Sequence, residues 1–294
     1  MKRKCLIDAD VLRYEVGSVG QKYDKDTGEY DIRGWDFVLN VFDERIRTIC
    51  DGAGGDNDPI LFLTGDRTTH RIYSKSRSRT DDFVVPTFAP NFREALANGK
   101  VYKGTRKQDK PFHWINLTAH ILSQPSVVVA VGCEADDLVA IHHTLNPDGS
   151  IICTRDKDLR MVPGWHYGWE CGKQPELGPV KYDDLGEIRL VQTKSGNKIV
   201  GGGFAFFCSQ LLTGDVVDNI GGLKGYGPVK TFKLLENCTS MGDYFSAVRN
   251  AYHELVPDNP EEALREQCNL LWIVRELNPD GSLKMFGEYE WLNT

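Results

Sequence analysis

The sequence predicts an α/β protein with a central, mostly parallel sheet covered by helices on both faces, followed by a helical second part. Three observations predict this. Short apolar runs that end in acidic residues alternate with stretches of helical periodicity between residues 4 and 158. After Gly201, Gly202 and Gly203 the character changes, and helical patterns follow one another toward the end. With 294 residues, 40% of them hydrophobic and 26% charged, the chain can bury one large core or two joined ones; fibrous, collagenous and wholly disordered classes are excluded.

Residues 4–9 (KCLIDA) form an apolar run ending in acid, the first strand. Residues 12–34, rich in Gly, Tyr and Asp, predict a loop or a distorted helix start. Trp35, Val38, Leu39, Phe42, Ile46 and Ile49 recur at helical spacing, and Gly52, Gly54 and Gly55 close that helix. PILFLTGD, 59–66, is the second strand. Residues 67–110, interrupted by Pro86 and Pro90, are too polar for a core and predict a loop or arch. A helix over 112–123, a strand over 126–131, a helix over 134–145 and a strand over 150–154 follow. Short strands separated by helices lie parallel and are buried on both faces. Segments 187–193 and 197–200, hinged on Ser195-Gly196-Asn197, predict a hairpin or a sheet extension. Helices are expected over 204–212, from Pro228 to Leu235, and at about 241–254 and 261–275, with a Gly-rich turn at 220–227. Two parts are therefore expected: a core over 1–203 with the basic arch region at about 67–110, and a helical region over 204–294 packed against it.

No apolar stretch approaches the roughly 20 residues of a membrane span. Asp8 and Asp10 interrupt the run that a signal peptide needs, so a cytoplasmic location with no membrane partner is expected. The 8 cysteines form no CxxC pair and no zinc-type cluster, and read as small buried hydrophobes. The net charge of -7 is unevenly placed: residues 67–110 hold 11 Lys or Arg against 4 acids, so the rest of the chain is strongly acidic. A basic segment on an acidic body suits an anionic ligand held beside carboxylates whose charge metal ions reduce; a solvated basic loop is the alternative.

The strand ends deliver the acids. Asp8, Asp66, the set Glu134, Asp136 and Asp137, and the pair Asp156 and Asp158 each follow a strand. In an open parallel sheet the carboxyl ends of the strands line one crevice. Carboxylates gathered there repel unless cations bind, and hard oxygen ligands without a Cys/His set favour Mg²⁺ or Mn²⁺ over zinc. In LIDAD, Asp8 is the ligand candidate, while Asp10 either caps the next helix or binds through water. The acids of EADD are ligands or helix-capping residues. Asp215 and Asp218 in TGDVVDN stand one helical step apart. GLKGYGP, 222–228, lacks the P-loop and dinucleotide patterns; its backbone N–H groups form a phosphate seat or a tight interhelical turn. His142 and His143 predict one buried and one exposed ring, and no nucleophile with a partnered base stands out.

In order, LIDAD (6–10), LTGD (63–66), YKGTRK (102–107), EADD (134–137), TRDKD (154–158) and GDVVDNIGGLKGYGPVKT (214–231) resemble the 5′ nuclease superfamily. Its members include bacteriophage 5′ to 3′ exonucleases, the nuclease domain of bacterial DNA polymerase I and flap endonucleases. The resemblance covers about 5–235 and implies a PIN-like core followed by a helix-three-turn-helix at about 211–235. It implies one metal centre at Asp8, Asp66, Glu134, Asp136 and Asp156, and a second at Asp158, Asp215 and Asp218, with Asp137 near both. Two or more Mg²⁺ or Mn²⁺ ions are thus implied, and K⁺ at the helix-three-turn-helix. Arg93, Lys103, Arg106 and Lys107 are implied phosphate contacts, and Lys103 and Arg106 also stabilise the transition state beside the catalytic Asp136 and Asp156. Gly221, Gly222, Gly225, Gly227 and Lys230 are implied duplex contacts, with Val229 where the family often has lysine.

The activity implied is metal-dependent hydrolysis of DNA, as a 5′ to 3′ exonuclease and structure-specific 5′ flap endonuclease in phage replication or primer removal. The partner implied is duplex DNA with a 5′ end or flap, or an RNA–DNA hybrid; a phage-encoded chain would act in the host cytoplasm. A PIN-type RNase and a non-catalytic junction-binding protein are the alternatives.

Overall fold

The structure, a computed structural model, describes residues 2–67, 69, 71–72, 88–97, 100–105 and 109–289. Two compact units interleave along the sequence. The first takes 1–91, 108–157 and 165–180; the second takes 92–107, 158–164 and 181–294, and so begins well ahead of the composition change at Gly201–Gly203.

The first unit is built on β1 (Lys4–Asp8), β4 (Ile60–Thr64), β5 (Val127–Ala130), β6 (Ser150–Cys153), β7 (Gly164–Gly168) and β8 (Leu177–Tyr182), in the order β5-β4-β1-β6-β7-β8. The pairings β4 with β5, β1 with β4, β1 with β6 and β6 with β7 are all parallel, and Leu6 stands opposite both Ile60 and Ile152. Both faces are buried, as the short apolar runs require. Cys5, Ile7, Leu61, Leu63, Ile151 and Cys153 pack on one side with α1 (Ala9–Val19), α2 (Trp35–Gly52) and α4 (Trp114–Leu122). The alternate residues Leu6, Phe62 and Ile152, each nearly inaccessible, face α5 (Ala135–Leu145). Each such side chain contributes about 1.5–3 kcal/mol of transfer free energy.

Of the two readings for residues 12–34, the helix start is the one that forms, extended into a full helix and followed by a small hairpin. Leu12 and Val16, four apart and fully buried, carry α1, and β2 (Gln21–Tyr23) pairs antiparallel with β3 (Tyr30–Ile32). The periodicity was masked by Arg13, a charged residue that is itself buried at 3% exposure. His143 is fully buried against Ser150, and His142 is half-buried with its ring edge-on to Phe62.

The second unit is organised on α6 (Gly203–Thr213), whose residues are buried almost all round. Such a helix needs partners on every side. The β9–β10 hairpin (Glu187–Thr193, Gly196–Gly202), α7 (Pro228–Leu235), α8 (Met241–Leu255) and α9 (Pro260–Leu271) supply them. Phe207 meets Trp272 and Phe286 at ring-centroid distances of 5.0 and 5.1 Å. Between α6 and α7 a two-residue ladder joins β11 (Gly214–Asp215) to β12 (Ile220–Gly221). A short helix, α3 (Phe92–Leu96), belongs to this unit. α9 stops at Leu271, four residues short of the expected end, because Trp272 turns to extended backbone at φ -68°, ψ 125°. No helix among the described residues is long and apolar enough to cross a membrane.

Candidate active site

In the first unit β1, β4, β5 and β6 all end on one edge of the sheet, and Asp8, Asp66, Glu134, Asp136, Asp137 and Asp156 follow those strand ends. Asp8 terminates β1 and is 2% exposed. Its Oδ1 accepts the backbone N–H of Asp10 at 3.0 Å and of Val11 at 3.3 Å, so Asp8 itself caps α1. Of the two roles expected for Asp10, the capping one therefore falls to Asp8. Asp8 Oδ2 accepts the Thr154 hydroxyl at 2.8 Å, and Thr154 Oγ1 accepts the N–H of Asp156 at 2.9 Å. Burial, together with the charges of Asp10 and Asp156 and against the Thr154 hydrogen bond, pushes the Asp8 carboxyl up to about 7.

Asp10 is occupied otherwise. Its Oδ1 lies 2.9 Å from the Arg13 guanidinium and its Oδ2 accepts the Thr64 N–H at 3.1 Å. Asp66, just past β4, accepts the Thr69 N–H at 2.7 Å and pairs with Lys110 at 3.2 Å. Burial raises its carboxyl, but the Thr69 hydrogen bonds and the Lys110 charge outweigh it and leave the pKa below the ordinary range. Glu134 is the N-cap of α5, and Asp137 closes a capping box by accepting the Glu134 N–H at 3.0 Å. Asp137 is fully buried in that role, whereas Asp136 is only half-buried. Thr64 Oγ1 accepts the Ala135 N–H at 2.9 Å and so ties the start of α5 to the end of β4.

The second unit carries Asp158, Asp215 and Asp218. Gln210, buried on α6, donates to Asp158 Oδ1 at 2.6 Å. Asp215 Oδ1 accepts the Val217 N–H at 2.8 Å and is buried. Asp218 accepts the Tyr102 hydroxyl at 3.1 Å and stands 3.8 Å from Lys103 Nζ, while Lys103 N donates to its carbonyl at 2.9 Å. Lys103 has φ 56°, a left-handed conformation that is uncommon outside glycine.

Arg93 is not presented to solvent. It is 1% exposed and its guanidinium donates to the carbonyls of Leu270 at 3.1 Å and Trp272 at 2.6 Å, closing the end of α9. Burial removes it from the expected phosphate contacts. Arg106 and Lys107 lie outside the described residues, as does much of the basic segment. Gly225 has φ 85° with open space around it, Gly227 caps α7, and Lys230, exposed on α7, holds its Nζ 3.8 Å above the ring of the buried Tyr226. Gly222 is different: a Cβ there would run into the backbone of Leu212 to Gly214, so its glycine serves close chain approach. A Cβ on Gly221 would stand 3.3 Å from Lys100 Nζ.

The first-unit donors are carboxylate and hydroxyl oxygens, and Asp8 is a buried acid beside two others. That chemistry fits a hard divalent cation. Among the described residues no group of three or more Asp, Glu, His or Cys side chains stands in an arrangement that holds a metal ion. Arg13, Lys110, Thr154 and Gln210 were not singled out from sequence. Arg13 alone leaves a trace there, standing three residues after Asp10 at helical spacing.

The chain superposes on the T5 5′-exonuclease with bound zinc ions at a TM-score of 0.50 and 12% identity, over 92% of this chain and 90% of that one. It has the 5′ nuclease fold. A second structure of the T5 D15 protein, co-crystallised with metal ions, matches at a TM-score of 0.44 and 10% identity, over 92% and 94% of the two chains. The catalytic core of Rad2 in complex with DNA substrate matches at 0.41 and 14%, over 95% and 76%. No protein-family model matches the chain, and no curated protein matches it. Within the 5′ nuclease fold, the first unit supplies the sheet edge with Asp8 and Asp156 and the second supplies the α6–α7 pair with its glycine turn.

Proposed function

We propose that this protein is a metal-dependent 5′ nuclease. It hydrolyses DNA phosphodiesters as a 5′ to 3′ exonuclease and structure-specific 5′ flap endonuclease, leaving 5′-phosphate and 3′-hydroxyl ends. The observation that carries this is the sheet edge: Asp8 and Asp156 are joined through Thr154, with Asp66 and the first turn of α5 delivered by neighbouring strands. The likeness in fold to T5 5′-exonuclease, which binds divalent zinc ions, supports it.

Asp8, Asp66, Glu134, Asp136 and Asp156 would hold Mg²⁺ or Mn²⁺ in the first unit, and Asp158, Asp215 and Asp218 a further ion in the second. When bound, such ions supply Lewis acidity and charge neutralisation at the phosphodiester. Lys103, with Arg106, places positive charge for the phosphoryl group in its transition state. Asp218 orients Lys103 from both its carboxylate and its carbonyl. The turn at Gly225 and Gly227 and the N-terminus of α7 offer N–H groups to duplex phosphates, joined by Lys230; K⁺ is proposed at the same turn. Phosphate contacts carry no base information, so the substrate is chosen by structure. Duplex DNA with a 5′ end or flap is the proposed partner, together with RNA–DNA hybrids during primer removal in phage replication.

Digestion of 5′-labelled duplex, flap, gapped and RNA-primed substrates with Mg²⁺ tests this. Short 5′-phosphorylated products are expected from the parent and not from Asp136→Ala or Asp156→Ala. Cleavage of single-stranded RNA alone, or binding to junctions without cleavage, overturns it.

A further inference from the structure

Among the described residues of the first unit Arg13 is the most deeply buried Lys or Arg, at 3% exposure, and two of its three nitrogens have specific partners. One of its nitrogens lies 2.9 Å from Asp10 Oδ1, another donates to Thr118 Oγ1 at 2.9 Å, and the guanidinium carbon stands 3.6 Å from the centroid of the Trp114 ring. Thr118 in turn donates to the Trp114 carbonyl at 2.7 Å, which fixes its hydroxyl as an acceptor for Arg13. A guanidinium stacked and forked in this way has little freedom to leave. On its far side Asp10 accepts the Thr64 N–H, and the Thr64 hydroxyl accepts the Ala135 N–H. An unbroken series of contacts therefore runs from α4 through Arg13, Asp10 and Thr64 to the first turn of α5.

Asp10 stands two residues from Asp8, at the edge where acids gather, yet its charge is already answered from within the protein. A partly buried carboxylate such as Asp10, 28% exposed, can be satisfied by a metal ion or by a fixed guanidinium. Resting on the function proposed above, we propose that Arg13 is a permanent internal cation of this acidic edge. It keeps Asp10 out of the metal-binding set, and through Asp10 and Thr64 it positions the turn that carries Glu134 and Asp136. Arg13 is thus a positioning residue that touches no substrate.

The test counts Mn²⁺ ions bound to DNA-free protein by electron paramagnetic resonance, alongside single-turnover cleavage. Asp10→Asn is expected to bind the parental number of ions, whereas Asp8→Asn binds fewer. Arg13→Met, which frees Asp10, gains Mn²⁺ binding that the double variant Asp10→Asn with Arg13→Met loses again. Arg13→Lys keeps the charge and the parental ion count. Arg13→Met also slows single-turnover cleavage by about tenfold or more at unchanged DNA affinity, as loss of a supporting contact does at a metal site. An ion lost in Asp10→Asn, or none gained in a folded Arg13→Met, overturns the proposal. If Arg13→Met does not fold, the ion count of Asp10→Asn decides. A parent that binds no Mn²⁺ and cuts no DNA overturns the nuclease reading and Arg13's part in it. The contact itself is judged separately by metal-free urea unfolding of the two single variants and the double, where coupling of about tenfold or more in the unfolding constant is expected.

Discussion

Thr154 Oγ1 lies 2.8 Å from Asp8 Oδ2 and also accepts the Asp156 N–H at 2.9 Å, so one hydroxyl joins the ends of β1 and β6. Thr154 is 6% exposed, and nothing else in its side chain can replace these contacts. Thr154→Val is expected to cost about 1–3 kcal/mol of stability by leaving both partners unanswered. It should also slow single-turnover cleavage by roughly 10- to 100-fold. Thr154→Ser keeps the hydroxyl and stays near the parent. Urea unfolding and quenched-flow cleavage of the two variants measure both effects.

Asp8 makes the metal-free protein sensitive to pH in an unusual direction. Its carboxyl is pushed up to about 7 in the folded protein, while an unfolded aspartate titrates near 3.9. As pH rises the unfolded chain releases this proton first, so folding loses stability from about pH 4 to about pH 7 and then levels. The loss is expected to be on the order of 2–4 kcal/mol from Asp8 alone. In EDTA, Asp8→Asn should therefore gain on the parent at pH 8 and not at pH 4, while keeping an oxygen to cap α1. Equal pH dependence of the two proteins in urea unfolding counts against this.

Arg93 is expected to act on stability and not on DNA. Arg93→Ala leaves the carbonyls of Leu270 and Trp272 without their donor and should destabilise by about 2–4 kcal/mol. The slope of log affinity against log salt should stay that of the parent, because no phosphate neutralisation is lost. Binding titrations well below the melting temperature separate the two effects.

The turn before α7 gives a contrasting pair. Gly225→Val forces a β-branched residue to φ 85° and should cost about 1–3 kcal/mol, with Gly225→Asn milder. Lys230→Ala should leave stability nearly unchanged, lower duplex affinity equally across sequences and reduce the salt slope by about one. Titrations in Ca²⁺ at several salt concentrations check this; an unchanged slope removes Lys230 from the interface.

Strands and acids were legible because a parallel strand buried on both faces leaves a continuous apolar run, and the acids directly follow those runs. Helix α1 was only half legible, as one of two readings, since its buried face includes Arg13, whose partners on Trp114 and Thr118 lie about a hundred residues away. A still longer separation, 177 residues, hides Arg93, which looks like a basic surface residue until the end of α9 is folded onto it. Capping was ambiguous for a different reason. Whether Asp8 or Asp10 caps α1 is decided by backbone angles at Asp8, φ -67° and ψ 100°, and residue type alone does not carry them.

The strand order β5-β4-β1-β6 has a consequence for synthesis on the ribosome. β1 is made first but stands inside the sheet, and the edge that will receive β6 stays open until residues 150–153 have emerged. Pairing across so long a stretch of chain forms slowly and leaves an unpaired strand exposed meanwhile. A nascent chain stalled before Ser150 therefore presents the apolar edge of Cys5, Leu6 and Ile7 as a template for aggregation, and it has Asp8 without Thr154 or Asp156 to meet it.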